Sequence, residues 1–280
     1  MISIPNLDEL INMALREDVG DGDHSTLSCI PQEAQGRARM MAKQDGVLCG
    51  VEVGERVFHL VDPDLKVTIL MHDGDEVRKG DMVMTVEGHS GSILTAERTA
   101  LNFMQRLSGI ATETRRMTRL IEGMHTRLLD TRKTTPNMRL LEKYAVACGG
   151  GTNHRIGLYD MIMLKDNHVD FAGGIEAAID RANSYLHDHG KSLKIEIEVR
   201  NLDELDRVLQ HGGVDRIMLD NFDVDTLREA VRRIDHRFET EASGGITEAT
   251  LRQYAETGVD FISMGALTHH IKSLDLSLIV

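Results

Sequence analysis

Charged residues and glycines follow a series of short apolar runs in the C-terminal half of the sequence. The runs are residues 127–130, 161–164, 194–199, 216–220, 238–242 and 261–264. Inside or directly after them stand cations, carboxylates and glycine-containing turns, namely Arg132, Lys133, Lys165, Glu198, Asp220, Ser243, Gly244, Gly245 and Gly265. These groups are the ones that bind anions and divalent cations.

The types of residue point to a phosphorylated ligand. An arginine such as Arg132 grips a carboxylate or phosphate with two hydrogen bonds, whereas a lysine supplies a point charge. Glu198 and Asp220 can hold a divalent cation or sugar hydroxyls, and Mg²⁺ prefers one or two carboxylates together with substrate phosphates. Glycine turns after the last strands of an α/β barrel are common phosphate sites.

A second cluster is the run Gly149-Gly-Gly-Thr-Asn-His154-Arg155, in which two anion-binding side chains follow three glycines. Residues 127–168 contain seven Lys or Arg against four Asp or Glu, a net charge of +3 in a chain whose total is −13. The negative total therefore does not exclude anionic small-molecule substrates.

The C-terminal elements must bring these groups together. Apolar runs that alternate with helical stretches predict a parallel sheet, and six such units predict a closed or nearly closed α/β barrel. A doubly wound open sheet is the alternative, although no Gly-x-Gly-x-x-Gly follows a first strand. Because the carboxyl ends of barrel strands form one rim, we expect the charged residues to share it.

The N-terminal region predicts a smaller mixed α/β domain. Asn6 and Glu9 predict a capped helix start, further helices are predicted at 51–61 and 95–122, and strands at 65–71 and 82–87. We predict domains at residues 1–112 and 113–280, with the C-terminal tail packing back on the first domain.

Several charged residues have simpler interpretations. Lys143 and Arg139 are expected on a solvated helix face, since long charged side chains are mostly exposed. Glu196 is as readily structural as functional, because alternate strand residues point to opposite sides. His168 is expected to bond to the backbone.

Composition excludes other classes of protein. The acidic balance and an aromatic content of 4% argue against a nucleic-acid binder. No apolar run approaches the roughly 18 residues of a membrane span, and the N-terminus lacks a secretory pattern. The three cysteines have no metal-like spacing and are expected to be free and reduced, which fits the cytoplasm.

Long motifs give the sequence a specific resemblance to the quinolinate phosphoribosyltransferase family. In the C-terminal half they are residues 129–136, 141–146, 149–158, 165–168, 220–222, 243–245, 257–260 and 265–269. The N-terminal half contributes residues 14–18, 97–98 and 106–112. The resemblance covers nearly the whole chain.

The resemblance implies a fold, a reaction and a set of site residues. The fold is α/β, with an N-terminal α/β sandwich domain followed by an incomplete α/β (TIM-like) barrel. The reaction converts quinolinate and phosphoribosyl pyrophosphate into nicotinate mononucleotide, pyrophosphate and CO₂ with Mg²⁺, in de novo NAD synthesis. By motif, Arg98, Arg132, His154, Arg155 and Lys165 would bind quinolinate, and Lys133, Glu198, Asp220, Ser243, Gly244, Gly245, Gly265 and His269 would bind phosphoribosyl pyrophosphate.

The resemblance also implies a catalytic set and an assembly. Lys133, Glu198 and Asp220 are the expected catalytic residues, and the two carboxylates are expected to hold Mg²⁺ directly or through water. The expected partner is a second copy: a homodimer with shared sites, in which Arg98 comes from the neighbouring subunit, with assembly beyond a dimer left open. His270 stands where the family commonly has Ser after the final His.

Two alternatives of different classes stand beside this hypothesis. One is a ModD-like paralogue of the same fold, associated with molybdate transport and using another anionic heteroaromatic acid. The other is a carrier module, because residues 73–87 resemble part of a biotinyl or lipoyl hairpin. A carrier needs a lysine at the following turn, and residues 88–91 contain none.

Overall fold

The structure is a computed structural model that describes residues 4–280. The chain divides into two compact units. Among the described residues, the first comprises residues 4–115, 134–150 and 266–280, and the second comprises residues 116–133 and 151–265. Residues 1–3, the start of the N-terminal segment interpreted above, lie outside the described residues. The domain bounds 1–112 and 113–280 stay a prediction.

The first unit is built on a four-stranded antiparallel sheet in the order β12-β1-β5-β3. Its strands are β1 (Gln35–Ala42), β3 (Lys66–Ile69), β5 (Met82–His89) and β12 (Leu276–Ile279), and β2 (Gly46–Val47) pairs with β4 (Glu76–Val77). Leu276 of β12 lies opposite Ala42 of β1, so the last strand of the chain completes the N-terminal sheet.

Six helices belong wholly or largely to this unit. They are α1 (Leu7–Val19), α2 (His24–Cys29), α3 (Val51–Val61), α4 (Ser90–Leu120), α5 (Arg139–Cys148) and α11 (Ala266–His269). The predicted helix at 51–61 is confirmed to the residue. The predicted side-chain cap at Asn6 is wrong. The backbone of Asn6 is left-handed (φ 61°), and its side chain makes no cap hydrogen bond. Its backbone carbonyl accepts the Leu10 N–H.

The carrier alternative is not supported by the path of β5. A carrier hairpin would turn after this strand and continue into another strand. Here β5 ends at His89 and α4 starts at Ser90.

The second unit is built on a six-stranded parallel sheet in the order β6-β11-β10-β9-β8-β7. The strands are β6 (Arg127–Leu129), β7 (Ile162–Leu164), β8 (Ile195–Val199), β9 (Arg216–Asp220), β10 (Glu239–Ser243) and β11 (Phe261–Ser263). The helices are α6 (Asp166–Ala172), α7 (Ile175–Asp188), α8 (Leu202–His211), α9 (Val224–Ile234) and α10 (Glu248–Ala255).

The strand order decides between the two predicted architectures. From β7 to β11 each strand pairs with the next one along the chain, without the reversal of direction that defines a doubly wound sheet. The first strand, β6, pairs with the last, β11, and the described part of the chain has no ladder between β6 and β7. The predicted incomplete α/β barrel is confirmed.

Alternation along these strands separates apolar from polar side chains. Ile197, Ile217, Leu219, Ala242 and Ile262 are fully buried and share one face of the sheet. The residues between them on the strands, which share the other face, include Glu196, Glu198, Arg216, Asp220, Glu241 and Ser243. The fold therefore places the ionisable residues of several strands on a common face.

No helix among residues 4–280 is both long enough and apolar enough to cross a lipid bilayer.

Candidate active site

The ends of β7, β8 and β9 bring a lysine and two carboxylates together. Leu164 pairs with Ile197, so Lys165 follows β7 at the level of Glu198 on the next strand. The Lys165 Nζ atom lies 3.0 Å from Glu198 Oε2, with the lysine side chain half-exposed and the glutamate nearly buried. The ion pair leaves the lysine accessible to an anion at the rim.

Asp220 ends β9 beside this pair. Burial, and secondly the charge of Glu198, raise the pKa of Asp220 above its usual range. The Asn221 side-chain amide donates to Asp220 Oδ2 over 2.6 Å. A cation or a donor hydroxyl beside Asp220 would favour its ionised form.

The turn after β10 requires glycine. Ser243 pairs with Asp220, and the Ser243 carbonyl accepts the N–H of Asn221 over 2.8 Å. Gly244 has φ 95°, and a Cβ atom there would lie 2.9 Å from the Asn221 backbone N. Gly245 is also left-handed, at φ 62°. The turn thus brings its backbone close to the carboxyl end of β9.

Arginines follow β6 and the glycine run. Arg132 and Lys133 are exposed, and the Lys133 N–H donates to Thr131 Oγ1 over 3.1 Å. Arg155 is half-buried, and its guanidinium donates to the Met161 carbonyl over 3.3 Å. Burial, and secondly the charge of Arg132, lower the pKa of Arg155. Two arginines that repel each other form a place for an anion.

His154 lies deeper than the rim. Its side chain is 5% exposed, and Nε2 lies 3.0 Å from Glu196 Oε2 and 3.2 Å from Glu241 Oε2. Asp130, itself buried, holds the loop in place, because its Oδ1 accepts the His154 N–H over 2.8 Å and its Oδ2 accepts the Asn153 amide over 2.6 Å. Sequence reasoning missed both glutamate contacts.

The buried charges around His154 are compensated. Arg216 Nη1 lies 3.3 Å from Glu241 Oε2, and Arg216 also stacks on Phe261, 4.4 Å from the ring centroid. Burial lowers the pKa of His154, but the hydrogen bonds to Glu196 and Glu241 outweigh it and raise the pKa to about 9. Burial, followed by the charge of Glu241, raises the pKa of Glu196 to about 7.

The remaining predicted residues lie elsewhere on the chain. Gly265 follows β11 in the second unit, whereas Arg98 on α4 and His269 at the end of α11 belong to the first unit, where both are exposed. His168 bonds to the backbone as predicted, because its Nδ1 accepts the Lys165 N–H over 3.0 Å.

Lys143 corrects one sequence prediction. We expected Lys143 on a solvated helix face because long charged side chains are mostly exposed, but Lys143 on α5 is 1% exposed. Its neighbour Glu142 is also buried and lies 2.8 Å from Arg106 Nη2. Arg139 is half-buried and donates to Thr134 Oγ1. The sequence feature that could have predicted this burial is the number of apolar residues in α5, because a helix of ten residues with so many apolar positions has few positions left for exposed side chains.

Two models of one protein family match nearly the whole chain. The family model described as the N-terminal domain of quinolinate phosphoribosyl transferase matches residues 23–108, and its C-terminal counterpart matches residues 110–279. The chain belongs to the quinolinate phosphoribosyl transferase family. A Nicotiana glauca relative, quinolinate phosphoribosyltransferase [decarboxylating] 2, mitochondrial, is 43% identical over 98% of this chain and 82% of its own length.

Bacterial members of the family are similar in sequence and in structure. The probable nicotinate-nucleotide pyrophosphorylase [carboxylating] of Bacillus subtilis is 40% identical over 97% of this chain and 92% of its own length. The crystal structure of NadC from Streptococcus pyogenes superposes with a TM-score of 0.95 at 39% identity, over 100% of this chain and 98% of that one. These names favour the main hypothesis and give the ModD-like alternative no support.

The buried charges predict a pH-dependent stability. A pKa of about 9 for folded His154, against about 6.5 in the unfolded chain, stabilises the fold fully below pH 6.5. This contribution is lost as the pH rises through 9. The raised pKa of Glu196, about 7 in the folded protein, likewise makes the free energy of unfolding fall as the pH rises through 7. We expect urea denaturation to show a fall of roughly 3 kcal/mol in unfolding free energy between pH 6.5 and 9.

The control for this prediction is the exposed histidine His187. His187→Gln should keep the slope of stability against pH, whereas His154→Gln should flatten it. A His154→Gln curve parallel to that of the unchanged protein would contradict the assignment.

Proposed function

We propose that this protein transfers the phosphoribosyl group of phosphoribosyl pyrophosphate to quinolinate, with decarboxylation, giving nicotinate mononucleotide, pyrophosphate and CO₂. The observation that carries the proposal is the meeting of Lys165, Glu198 and Asp220 at the carboxyl ends of three adjacent strands. Family membership supplies the substrates by name. The proposal includes a place in de novo NAD synthesis.

Charge explains why such a site suits these substrates. Quinolinate is a dianion and phosphoribosyl pyrophosphate carries several negative charges, so their approach needs cations at short range. Arg132 and Arg155 provide two such cations beside each other, and Lys165 provides a third at the rim. We assign quinolinate binding to these residues, to His154 and to Arg98.

The reaction then proceeds in two steps. The quinolinate ring nitrogen forms a bond to the anomeric carbon of the ribose while the bond from that carbon to pyrophosphate breaks, so positive charge grows on the sugar. Glu198 and Asp220 stabilise this charge or orient the ribose hydroxyls, and Lys133 stabilises the leaving pyrophosphate. The ribosylated ring, now a pyridinium, accepts the electron pair left when the adjacent carboxylate departs as CO₂, and that carbon takes up a proton.

The phosphates are assigned to the glycine turns. Ser243, Gly244 and Gly245 present backbone close to the end of β9, and Gly265 and His269 are assigned to the same ligand by motif. Left-handed glycines allow backbone N–H groups to converge on an anion.

Magnesium fits the carboxylate pair. Mg²⁺ is commonly held by one or two carboxylates and substrate phosphates. Burial, and secondly the charge of Glu198, raise the pKa of Asp220, and a cation at this pair would favour the ionised form of Asp220. Glu198 and Asp220 would hold the ion, directly or through water, where it would neutralise charge on the pyrophosphate. A cytoplasmic location is part of the proposal.

The test is turnover with quinolinate and phosphoribosyl pyrophosphate, followed as nicotinate mononucleotide and CO₂, with nicotinate as the competing substrate. We expect product from quinolinate only, with loss of turnover on chelation and recovery on adding Mg²⁺. Product from nicotinate alone, or from neither acid, would refute the assignment.

Lys133→Ala should lower turnover by at least about 100-fold without unfolding the protein, because a cation that stabilises the leaving group acts in the transition state. Lys191→Ala, which removes an exposed lysine ahead of β8, is the matched control and should be neutral. Steady-state kinetics and circular dichroism measure both effects. Near-normal turnover in Lys133→Ala would remove its catalytic role.

We further propose a homodimer with shared sites, in which Arg98 of one subunit serves the barrel of the other. Arg98→Ala mixed and refolded with Lys133→Ala should recover about a quarter of full activity, because half the dimers are mixed and each has one intact site. Lys165→Ala mixed with Lys133→Ala is the control. It should recover no activity, because both lysines belong to the barrel part of the site and each barrel of a mixed dimer then lacks one of them. Equal recovery in both mixtures, or none in re-formed mixed dimers, would exclude sharing.

A further inference from the structure

Two cysteines that are far apart in sequence meet in the first unit. Cys49 precedes α3, Cys148 ends α5, and Asp73 lies between β3 and β4. The two sulfur atoms and a carboxylate oxygen of Asp73 all lie within 4.8 Å of one another. The spacing of the cysteines along the chain gave no sign of this cluster.

The cluster is held rigidly by neighbouring hydrogen bonds. The Cys49 N–H donates to Ser108 Oγ over 2.9 Å, and the Ser108 hydroxyl donates to the Cys49 carbonyl over 3.1 Å. Asp73 Oδ1 accepts the Val51 N–H over 2.8 Å, and Asp73 Oδ2 accepts the Tyr144 hydroxyl over 2.9 Å. Outer hydrogen bonds of this kind orient metal-binding side chains and leave each carboxylate oxygen a lone pair for an ion.

Charge and access favour a metal ion at this position. Arg115 lies next to the cluster, donating from Nη2 to the Cys148 carbonyl over 3.2 Å and from Nε to the Gly149 carbonyl over 3.1 Å. Two thiolates and a carboxylate sum to −3; a divalent cation offsets two of these charges, and the guanidinium of Arg115, which also pairs with Glu76 over 3.2 Å, lies beside the third. Cys49 is fully buried, whereas Cys148 is partly exposed and leaves a path for entry.

We propose that Cys49, Asp73 and Cys148 bind one thiophilic divalent cation of the zinc class. Zn²⁺ takes thiolate sulfur at about 2.3 Å and carboxylate oxygen at about 2.0–2.2 Å in a tetrahedron, so three mutually adjacent protein ligands leave one position for water. The ion joins the segment before α3 to the end of α5. This site is separate from the carboxylate pair at Glu198 and Asp220, and it does not depend on the proposed function.

Ligand softness separates the two sites. Thiolates select Zn²⁺ and Co²⁺, whereas an all-oxygen site suits Mg²⁺. The same two thiols could instead join as a disulfide, which requires an oxidant to remove two electrons and two protons. The experiment distinguishes these outcomes.

The experiment titrates reduced, metal-free full-length protein with Co²⁺ under anaerobic conditions in the presence of excess Mg²⁺. We expect one Co²⁺ per chain, with near-ultraviolet sulfur-to-cobalt charge transfer and the visible bands of a tetrahedral ion. Added Zn²⁺ should abolish both by displacement. Co²⁺ at Glu198 and Asp220 would give no sulfur charge transfer.

Variants assign the ligands. Cys148→Ser should lower the charge-transfer intensity per bound Co²⁺ to about half, since one thiolate remains, and weaken Zn²⁺ binding by more than about 100-fold, and Asp73→Asn should weaken it by roughly 10-fold or more. Cys29→Ser, which changes the exposed cysteine on α2, is the matched control and should behave as the unchanged protein. Because Cys49 is buried, Cys49→Ala serves beside Cys49→Ser in case the serine variant fails to fold.

Three outcomes would overturn the proposal. The first is the absence of sulfur charge transfer in reduced protein, and the second is its retention at full intensity per bound Co²⁺, with unchanged affinity, in Cys148→Ser. The third is formation of a Cys49–Cys148 disulfide in air from a reduced protein that takes up no Zn²⁺, which mass spectrometry would detect.

Discussion

The cost of placing charges on the inner face of a parallel sheet governs the second unit. An isolated buried carboxylate is strongly unfavourable, so buried acids survive only with partners. Glu241 has His154 on one side and Arg216 on the other, and Arg216 is further covered by Phe261. These ion pairs allow acidic side chains to be buried on the strands of the second unit. We call the buried group of His154, Glu196, Glu241 and Arg216 the floor, and the strand ends that hold Glu198 and Asp220 the rim.

At the rim, charges of the same sign influence one another. Lys165 pairs with Glu198, and Asp220 accepts the Asn221 amide, but burial and secondly the charge of Glu198 still raise the pKa of Asp220. Burial, and secondly the like charge of Arg132, lower the pKa of Arg155. Charges that destabilise one another in the free protein are relieved by a polyanionic ligand and a cation, so the stability lost at the rim becomes available as binding energy.

Much of this arrangement could be predicted from the sequence because strand and helix periodicity is strong. The six strands of the second unit, the helix at 51–61 and the rim positions at Lys165, Glu198 and Asp220 follow from pattern and from the rule that parallel strands share their carboxyl ends. The sequence could not predict on which face of the sheet Glu196 lies. Alternation shows which residues of a strand share a face, but it does not show which face is turned toward the site. It failed for Lys143, where tertiary packing overrides the usual exposure of lysine, and for Asn6, whose backbone is left-handed. Contacts between distant segments, such as Cys49 with Cys148, leave no trace in local spacing.

The pairing of β12 with β1 has a consequence for synthesis. Residues 35–42 leave the ribosome well before residues 276–279, so the N-terminal sheet lacks its fourth strand until residues 276–279 have been synthesised. All segments of the second unit emerge before that moment. One edge of β1 is therefore open while the second unit is being synthesised, when unpaired strands are prone to mispairing, and it closes when β12 pairs with it.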